Sequence, residues 1–161
     1  MLYYDRWDVL LDSLKALQNV ANLHTVIIVW NHPIGPSPQA IFPKVFKAHN
    51  NSLNNRFLPL DLIQTEAILS LDDDVTLTVS EIEKGFSVWK ENRERLVGYP
   101  ERDFEFRSSS KDWAYKVNSR SKSYSMILTG AAFFHKVCTT VLRSFSACFT
   151  DPNRDVCAPV A

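Results

Sequence analysis

The segment Ala67–Thr78 reads AILSLDDDVTLT, an apolar run that leads directly into three carboxylates. The run has the composition of a short buried strand. Alternate side chains of an extended segment share a face, so we expect Asp72 and Asp74 on one side and Asp73 on the other. Two carboxylates on one side repel each other unless a cation lies between them. The segment therefore predicts a strand whose end offers oxygen ligands.

A metal–diphosphate bridge is the chemistry that best suits such a D-x-D pair. Mg²⁺ and Mn²⁺ take oxygen ligands and commonly combine one or two carboxylates with substrate phosphates. Two other interpretations stay open at this point. One is a solvated acidic turn ahead of the next helix. The other is a phosphotransferase resembling the haloacid dehalogenases, with Asp72 as nucleophile and Asp74 as acid or base, although no convincing late G-D-x-x-x-D motif is present.

Two segments have helical spacing on either side of this stretch. Leu10, Leu14 and Leu17 share one face of a predicted N-terminal helix. Thr78 and Glu81 have the spacing of a capping box, which predicts that a second helix begins there. The apolar stripe of the second helix is predicted to consist of Ile82, Phe86 and Trp89.

Short apolar runs predict strands between and after these helices. The strand segments are 25–30, 44–49, 67–71, 95–100 and, with a break at Gly130, 124–137. Prolines and a glycine predict a loop over 31–43, and the polar, aromatic segment 104–123 is predicted to be an irregular surface loop. Strands that alternate with helices predict an α/β domain with βαβ units and a mostly parallel sheet. Ligands bind such sheets at the carboxyl ends of the strands, where the aspartates are expected to lie.

Charge, cysteine spacing and the length of the apolar stretches argue against several kinds of partner and site. Eighteen basic and eighteen acidic residues cancel in a chain of 161 residues, so nucleic acid is not an expected partner. Cys138, Cys148 and Cys157 lack C-x-x-C spacing, which argues against a zinc site. No apolar stretch is long enough to span a membrane, and Met1 leads directly into LYYDRWD, so we expect no transmembrane segment or signal peptide in this chain.

Six blocks of sequence carry a resemblance to a known family. They are IVWN, NSLNNRFLP, TEAILSLDDDV, EIEKGFSVW, RLVGYPERDFEF and YSMILTGAAFFHK, in this order between Met1 and Lys136. Together they resemble the C-terminal glycosyltransferase domain of the exostosin family, and NSLNNRFLP resembles its exostosin-like 3 branch. The resemblance implies a GT-A nucleotide-diphospho-sugar transferase fold. It also implies transfer of N-acetylglucosamine, or a related hexosamine, from a UDP-sugar with retained configuration, with Mn²⁺ (or Mg²⁺) as cofactor, in heparan sulfate synthesis.

The same resemblance implies a set of site residues. Asp74 matches the direct metal ligand of the family's D-x-D motif, and Asp72 assists it. The other residues implied to contact the nucleotide or its phosphates are Arg6, Asn31, Asn51, Arg56, Asp72 and Asp73. Arginine suits phosphate because its donors form a fork, and asparagine can both donate to and accept from uracil or ribose. Without the resemblance, the asparagines would be interpreted as turn residues and the arginines as solvated surface residues.

The chain departs from the family pattern towards both ends. Residues 1–136 are predicted to be the donor-nucleotide-binding part of the domain, and residues 137–161 a divergent tail. An acidic block like NCEDIAMNF is expected after Lys136 in this family, and neither Asp151 nor Asp155 lies in one. We therefore expect an incomplete domain without its catalytic and acceptor half, and assign no catalytic residue. The alternative is a non-catalytic nucleotide-sugar-binding remnant.

Location and partners follow from the resemblance alone. It implies the lumen of the endoplasmic reticulum or Golgi, normally with a membrane anchor. It also implies a glycosaminoglycan acceptor for the full-length family, and it leaves open a homo- or hetero-oligomer.

Overall fold

A computed structural model describes residues 1–33, 44–58, 60–116 and 124–140. The helices that lie wholly within these ranges are α1 (Trp7–Leu17) and α2 (Val79–Glu91), and two short 3₁₀ turns cover Leu53–Phe57 and Leu60–Leu62. The strands are β1 (Leu2–Tyr3), β2 (Ile28–Trp30), β3 (Val45–Lys47), β4 (Ala67–Leu71), β5 (Val97–Gly98), β6 (Glu101–Arg107), β7 (Asp112–Lys116), β8 (Met126–Ile127) and β9 (Ala131–His135). The elements therefore form a mixed α/β structure, as the sequence predicts. Within the described ranges no helix is long and apolar enough to cross a membrane.

The strands form three small sheets rather than one. The order β1-β2-β3 is parallel, with Leu2 opposite Val29. The orders β4-β9-β5 and β7-β6-β8 are antiparallel. One parallel bridge between Leu2 and Asp72 connects the first sheet to the end of β4. The prediction of a mostly parallel sheet therefore holds for the first sheet alone.

The strand β9 explains the difference. Both β4 and β5 pair with β9 in the antiparallel sense, so β4 and β5 run in the same direction. The crossover through α2 is thus the βαβ connection that the alternation predicts. A strand from much later in the chain lies between its two strands, and local sequence carries no signal for that insertion.

Both predicted helices are confirmed. Leu10 and Leu17 are buried on α1, and Leu14 is partly buried. At the start of α2, Thr78 Oγ1 accepts from the backbone N–H of Glu81, whose carboxylate accepts from the backbone N–H of Thr78. This reciprocal capping satisfies two donors that the first turn leaves without partners.

One core cluster lies between α2 and the second sheet. Trp89 of α2 is 2% exposed, and Phe86 stacks on it with ring centroids 6.1 Å apart. Phe133 of β9 and Leu71 of β4 belong to the same cluster. Truncating a buried tryptophan costs roughly 3–5 kcal/mol. This packing fixes the end of β4 that leads into the aspartates.

The predicted irregular surface loop over 104–123 is wrong for residues 104–116, and residues 117–123 lie outside the described residues. Strands β6 and β7 form an antiparallel hairpin there, with Phe104 opposite Tyr115 and Phe106 opposite Trp113. Lys111 in its turn has a φ of 53°, in the left-handed region. The four aromatic side chains share one exposed face, so the two-residue period is present without the burial that usually accompanies it.

The remaining strand predictions are confirmed with shorter limits. The run that begins at Thr25 forms β2 from Ile28, and the break at Gly130 separates β8 from β9. Residues 137–140 are helical. Most of the predicted proline-rich loop lies outside the described residues, as do residues 141–161.

Candidate functional site

The three aspartates lie where β4 ends. Asp72 makes the parallel bridge to Leu2, and the chain turns at Asp73 and Asp74. The expectation that Asp72 and Asp74 share a face, with Asp73 opposite, is wrong for this reason. Asp73 and Asp74 both face Arg6, and Asp72 faces a different arginine.

Arg6 joins the start of α1 to the acidic turn. It precedes the first residue of the helix, and its Nη1 donates to Asp74 Oδ2 at 2.7 Å while its Nη2 donates to Asp73 Oδ1. The hydrogen bond that Arg6 donates to Asp74 is the largest of the effects that raise the pKa of Arg6, which stays charged in any case. The side chain of Arg6 is 51% exposed, so its outer edge is open to a ligand.

Asp73 is the buried member of the acidic stretch. Its side chain is 4% exposed, and Oδ2 has no hydrogen-bond partner. Burial raises the pKa of Asp73, and the charge of Arg6 opposes that shift. The backbone carbonyl of Asp73 accepts a hydrogen bond of 3.2 Å from Ser13 Oγ on α1. Asp73 therefore fixes the acidic turn to α1 and depends on Arg6 for its charge balance.

Asp72 lies between Arg56 and Gly130. Arg56 Nη2 is 2.8 Å from Asp72 Oδ1, an ion pair in which that oxygen accepts no aligned hydrogen bond. The backbone N–H of Asp72 donates to the carbonyl of Gly130 at 2.8 Å. A Cβ on Gly130 would lie 2.6 Å from Asp72 Oδ2, closer than such contacts allow. The carboxylate thus occupies space that only a glycine leaves open.

An asparagine network supports the neighbouring turn. Asn31 Nδ2 donates to the carbonyl of Ser52 at 2.9 Å and to Asn51 Oδ1 at 3.2 Å. Asn55 Nδ2 donates to Asn31 Oδ1 at 2.9 Å and to the carbonyl of Asn50 at 2.7 Å. Asn31 and Asn55 are buried, whereas Asn51 is exposed. The network holds the end of β2 against the turn that carries Asn51.

Sequence reasoning missed Asn55. Its signal is the spacing in SLNN, because residues three apart in a 3₁₀ turn eclipse each other and Asn55 then shares a side with Ser52. A buried amide needs partners for both its donors and its acceptor, which is why Asn55 contacts two segments.

The strand ends bring the site residues together. The parallel bridge and the parallel first sheet give β1, β2 and β4 one direction. Arg6 follows β1, Asn31 follows β2, and Asp72 follows β4, so all three lie beyond carboxyl ends at the same edge. Asn51 and Arg56 reach that edge from the 3₁₀ turn and the residues before it.

The carboxylates fit an incomplete cation site. In the part of the chain that the structure describes, no group of three His, Cys, Asp or Glu side chains is close enough to hold a metal by itself. Asp72 and Asp74 are 34% and 51% exposed, and Asp72 Oδ1 lacks a hydrogen bond. Mg²⁺ and Mn²⁺ need only one or two carboxylates when phosphate oxygens and water complete the shell. The donor set therefore suits a cation that arrives with a diphosphate.

A pocket of about 220 Å³ is lined mainly by apolar residues, several of which, such as Met1, Ile27 and Ile63, precede β1, β2 and β4. Arg56 and Ser70 are among its lining residues, but the three aspartates are not. The polar edge rather than this pocket carries the candidate chemistry.

Comparison with known proteins identifies the family. The chain matches the glycosyl transferase family 64 domain over residues 1–150. The chain belongs to glycosyl transferase family 64. This assignment confirms the resemblance described above and leaves no support for the phosphotransferase interpretation of Asp72. The family 64 match ends inside the segment 137–161, which the sequence assigned to a divergent tail.

Named relatives of this family 64 chain are exostosins. It is 43% identical over 141 residues to the Exostosin-like-3 homolog of Caenorhabditis elegans, covering 84% of the chain and 17% of that relative. It is 38% identical over 144 residues to Exostosin-2 of Homo sapiens, covering 84% of the chain and 20% of that relative. It is 38% identical over 117 residues to Exostosin-1 of Mus musculus, covering 69% of the chain and 16% of that relative. The chain spans a fifth or less of the length of these relatives.

Proposed function

We propose that this chain binds a UDP-sugar together with a divalent cation, as the donor-binding part of a GT-A-type glycosyltransferase. The observation that carries the proposal is the position of Asp72 and Asp74 after β4, at the edge where β1 and β2 also end. Nucleotides bind α/β sheets beyond the carboxyl ends of their strands. Membership of family 64 indicates glycosyl transfer as the class of reaction. The exostosin names of the relatives indicate which glycosyltransferases this chain resembles.

The aspartates, through the cation they would hold, and Arg6 would both neutralise negative charge on the diphosphate. Asp74, with Asp72 assisting, would hold Mn²⁺ or Mg²⁺, and the cation would neutralise charge on the departing diphosphate. Arg6 presents a half-exposed guanidinium, whose fork of donors matches phosphate oxygens. Asn51 is exposed, accepts a hydrogen bond from Asn31 and is the residue proposed for ribose or uracil. Asp73 stays buried and orients Arg6.

The proposed donor is UDP-N-acetylglucosamine or a related UDP-hexosamine, transferred with retained configuration to a glycosaminoglycan acceptor in heparan sulfate synthesis. The proposed location is the lumen of the endoplasmic reticulum or Golgi. These finer statements rest on the likeness to exostosins.

Binding without transfer is the second candidate. Each of the three carboxylates at the site is engaged by Arg6 or Arg56. Transfer also needs a group that stabilises charge at the anomeric carbon, and none of the three is left for that purpose. Incubation with UDP-N-acetylglucosamine, Mn²⁺ and a glucuronic-acid-terminated acceptor separates the two candidates, since product formation requires the transferase.

Calorimetric titration with UDP tests the proposed binding. We expect UDP to bind in Mn²⁺, and to bind weakly or not at all in a chelator. Asp74→Ala should lose the metal-dependent binding, whereas Asp12→Ala, which removes an exposed aspartate on α1, should keep it. Equal UDP affinity in Mn²⁺ and in chelator would show that UDP binding does not depend on the metal. No UDP binding in either condition would overturn the proposed function.

A further inference from the structure

Arg56 is buried among protein acceptors, unlike the surface arginine that its polar neighbourhood suggests. Its side chain is 7% exposed. Nε donates to the carbonyl of Leu53, and Nη1 to the carbonyl of Thr129, each at 2.9 Å. Nη1 also contacts Ser70 Oγ at 3.4 Å, and Nη2 pairs with Asp72 Oδ1 at 2.8 Å. One guanidinium therefore connects the 3₁₀ turn, the end of β4 and the loop before β9.

Gly130 constrains the other side of the same carboxylate. Its carbonyl accepts from the Asp72 N–H at 2.8 Å, and the space where its Cβ would be is filled by Asp72 Oδ2. Arg56 holds the carbonyl of the preceding residue, Thr129, so Gly130 is itself fixed in place. Asp72 is thus held at Oδ1 by Arg56, and its Oδ2 occupies the space that Gly130 leaves open.

We propose that Arg56 and Gly130 are a pair of positioning residues that fix the Asp72 carboxylate for a divalent cation. This inference rests on the proposed function and adds to it two residues that do not need to touch the cation. Arg56 acts through charge at Oδ1, and Gly130 acts by leaving room for Oδ2. Groups that orient a metal ligand commonly change metal affinity by 10- to 100-fold when they are replaced.

Lysine cannot replace Arg56 in this role. Its ammonium is a compact charge on a flexible stem, and it cannot contact acceptors on three separate segments in a fixed plane. Arg56→Lys therefore keeps the positive charge near Asp72 but loses the connection to Thr129 or to Leu53. A purely electrostatic role would tolerate this change, and a positioning role would not.

The test compares two glycine substitutions. The measured quantity is the ratio of UDP affinity in Mn²⁺ to UDP affinity in chelator, because a general loss of structure lowers both and leaves the ratio unchanged. Gly130→Ala should reduce the ratio about 10-fold or more. Gly85→Ala is the matched control, since its Cβ would meet the Tyr99 hydroxyl between α2 and β5, and it should leave the ratio unchanged.

The outcomes separate this inference from the proposed function. A wild-type ratio of one removes the cation and overturns this inference while UDP binding itself stands, and no UDP binding in either condition overturns both. A high wild-type ratio that Gly130→Ala keeps overturns the inference alone. Where Gly130→Ala fails to fold, as judged by circular dichroism, Arg56→Lys carries the test and should lower the ratio in the same way. An unchanged ratio in a folded Arg56→Lys variant would also overturn it.

A second measurement needs no metal. Gly130→Ala should destabilise the wild-type chain to urea more than it destabilises an Asp72→Ala background, because the carboxylate is what the new Cβ would meet. Equal destabilisation in both backgrounds would mean that Gly130 does not constrain Asp72, and the inference would fail.

Discussion

Three consecutive aspartates form ion pairs with two arginines, and the two arginines differ in how exposed they are. Arg6 pairs with Asp73 and Asp74 at a side chain that is 51% exposed, whereas Arg56 pairs with Asp72 at a side chain that is 7% exposed. Exposed ion pairs are screened by water and cost little to separate, but a buried charge that loses its partner costs several kcal/mol. The comparison indicates that Arg6 can exchange the exposed carboxylate of Asp74 for a ligand phosphate while it keeps the buried Asp73, whereas Arg56 is part of the framework.

The largest expected effect comes from breaking the buried side of this comparison. Arg56→Ala should destabilise the chain by about 3–5 kcal/mol, because it leaves the Asp72 charge and two carbonyl acceptors without their partner. Urea unfolding followed by circular dichroism measures the change. Arg93→Ala is the control, since Arg93 pairs with Glu66 where both side chains are more than half exposed, and should cost about 0–1 kcal/mol. Equal losses in the two variants would contradict the contrast.

A smaller loss is expected on the exposed side. Arg6→Ala should cost about 1–3 kcal/mol, chiefly because the buried carboxylate of Asp73 loses its partner. The double variant with Asp73→Asn should recover part of that loss in the same urea experiment, because no buried charge remains. If Arg6→Ala destabilises as much as Arg56→Ala, the two arginines do not differ in the way proposed.

The cap at the start of α2 provides a reference substitution that involves neither arginine. Thr78→Ala should cost about 1 kcal/mol by removing the cap of that helix. Thr76→Ala, two residues earlier and exposed, should be close to neutral. Thermal unfolding of the two variants provides the measurement, and a larger loss for Thr76→Ala would show that the cap is not the source of stability.

The smallest effect is a pH slope from Asp73, whose pKa is raised in the folded chain, chiefly by burial. The unfolded carboxyl titrates near 3.8, so above that pH and up to the folded pKa the native chain holds more protons than the unfolded chain. Stability attributable to Asp73 therefore falls as pH rises through that interval. Asp73→Asn should remove this slope from urea midpoints measured at a series of pH values above 3.8. A steeper slope in the variant would reverse the assigned sign.

Local pattern was sufficient for several elements. The strand Ala67–Leu71 and the helix that begins after Thr78 depend on burial and capping signals that neighbouring residues carry themselves. The asparagine turn was expected to contact a nucleotide, and that contact stays a prediction. The spacing in SLNN gives only the side of the turn on which Asn55 lies, and its partners Asn31 and Asn50 are specified by packing.

The features that local sequence did not predict depend on contacts between residues that are distant in the chain. The alternation rule placed Asp72 with Asp74, but it applies only while the backbone stays extended, and here the chain turns at Asp73. The hairpin of β6 and β7 was missed although its aromatic residues alternate with polar ones. Such alternation usually marks a strand with one buried face, and the aromatic face of this hairpin is exposed. Neither arginine could be assigned to a buried or an exposed role from its neighbours in sequence.

The insertion of β9 between β4 and β5 sets an order on folding during synthesis. Residues 131–135 are made long after β4, and both β4 and β5 lack their only strand partner in the described part of the chain until then. Unpaired strand edges attract other chains, and contacts between distant residues form slowly. The nascent chain therefore passes through a stage in which the strand carrying the aspartates is open to misassembly, and a chaperone that shields that edge would raise the yield of native protein.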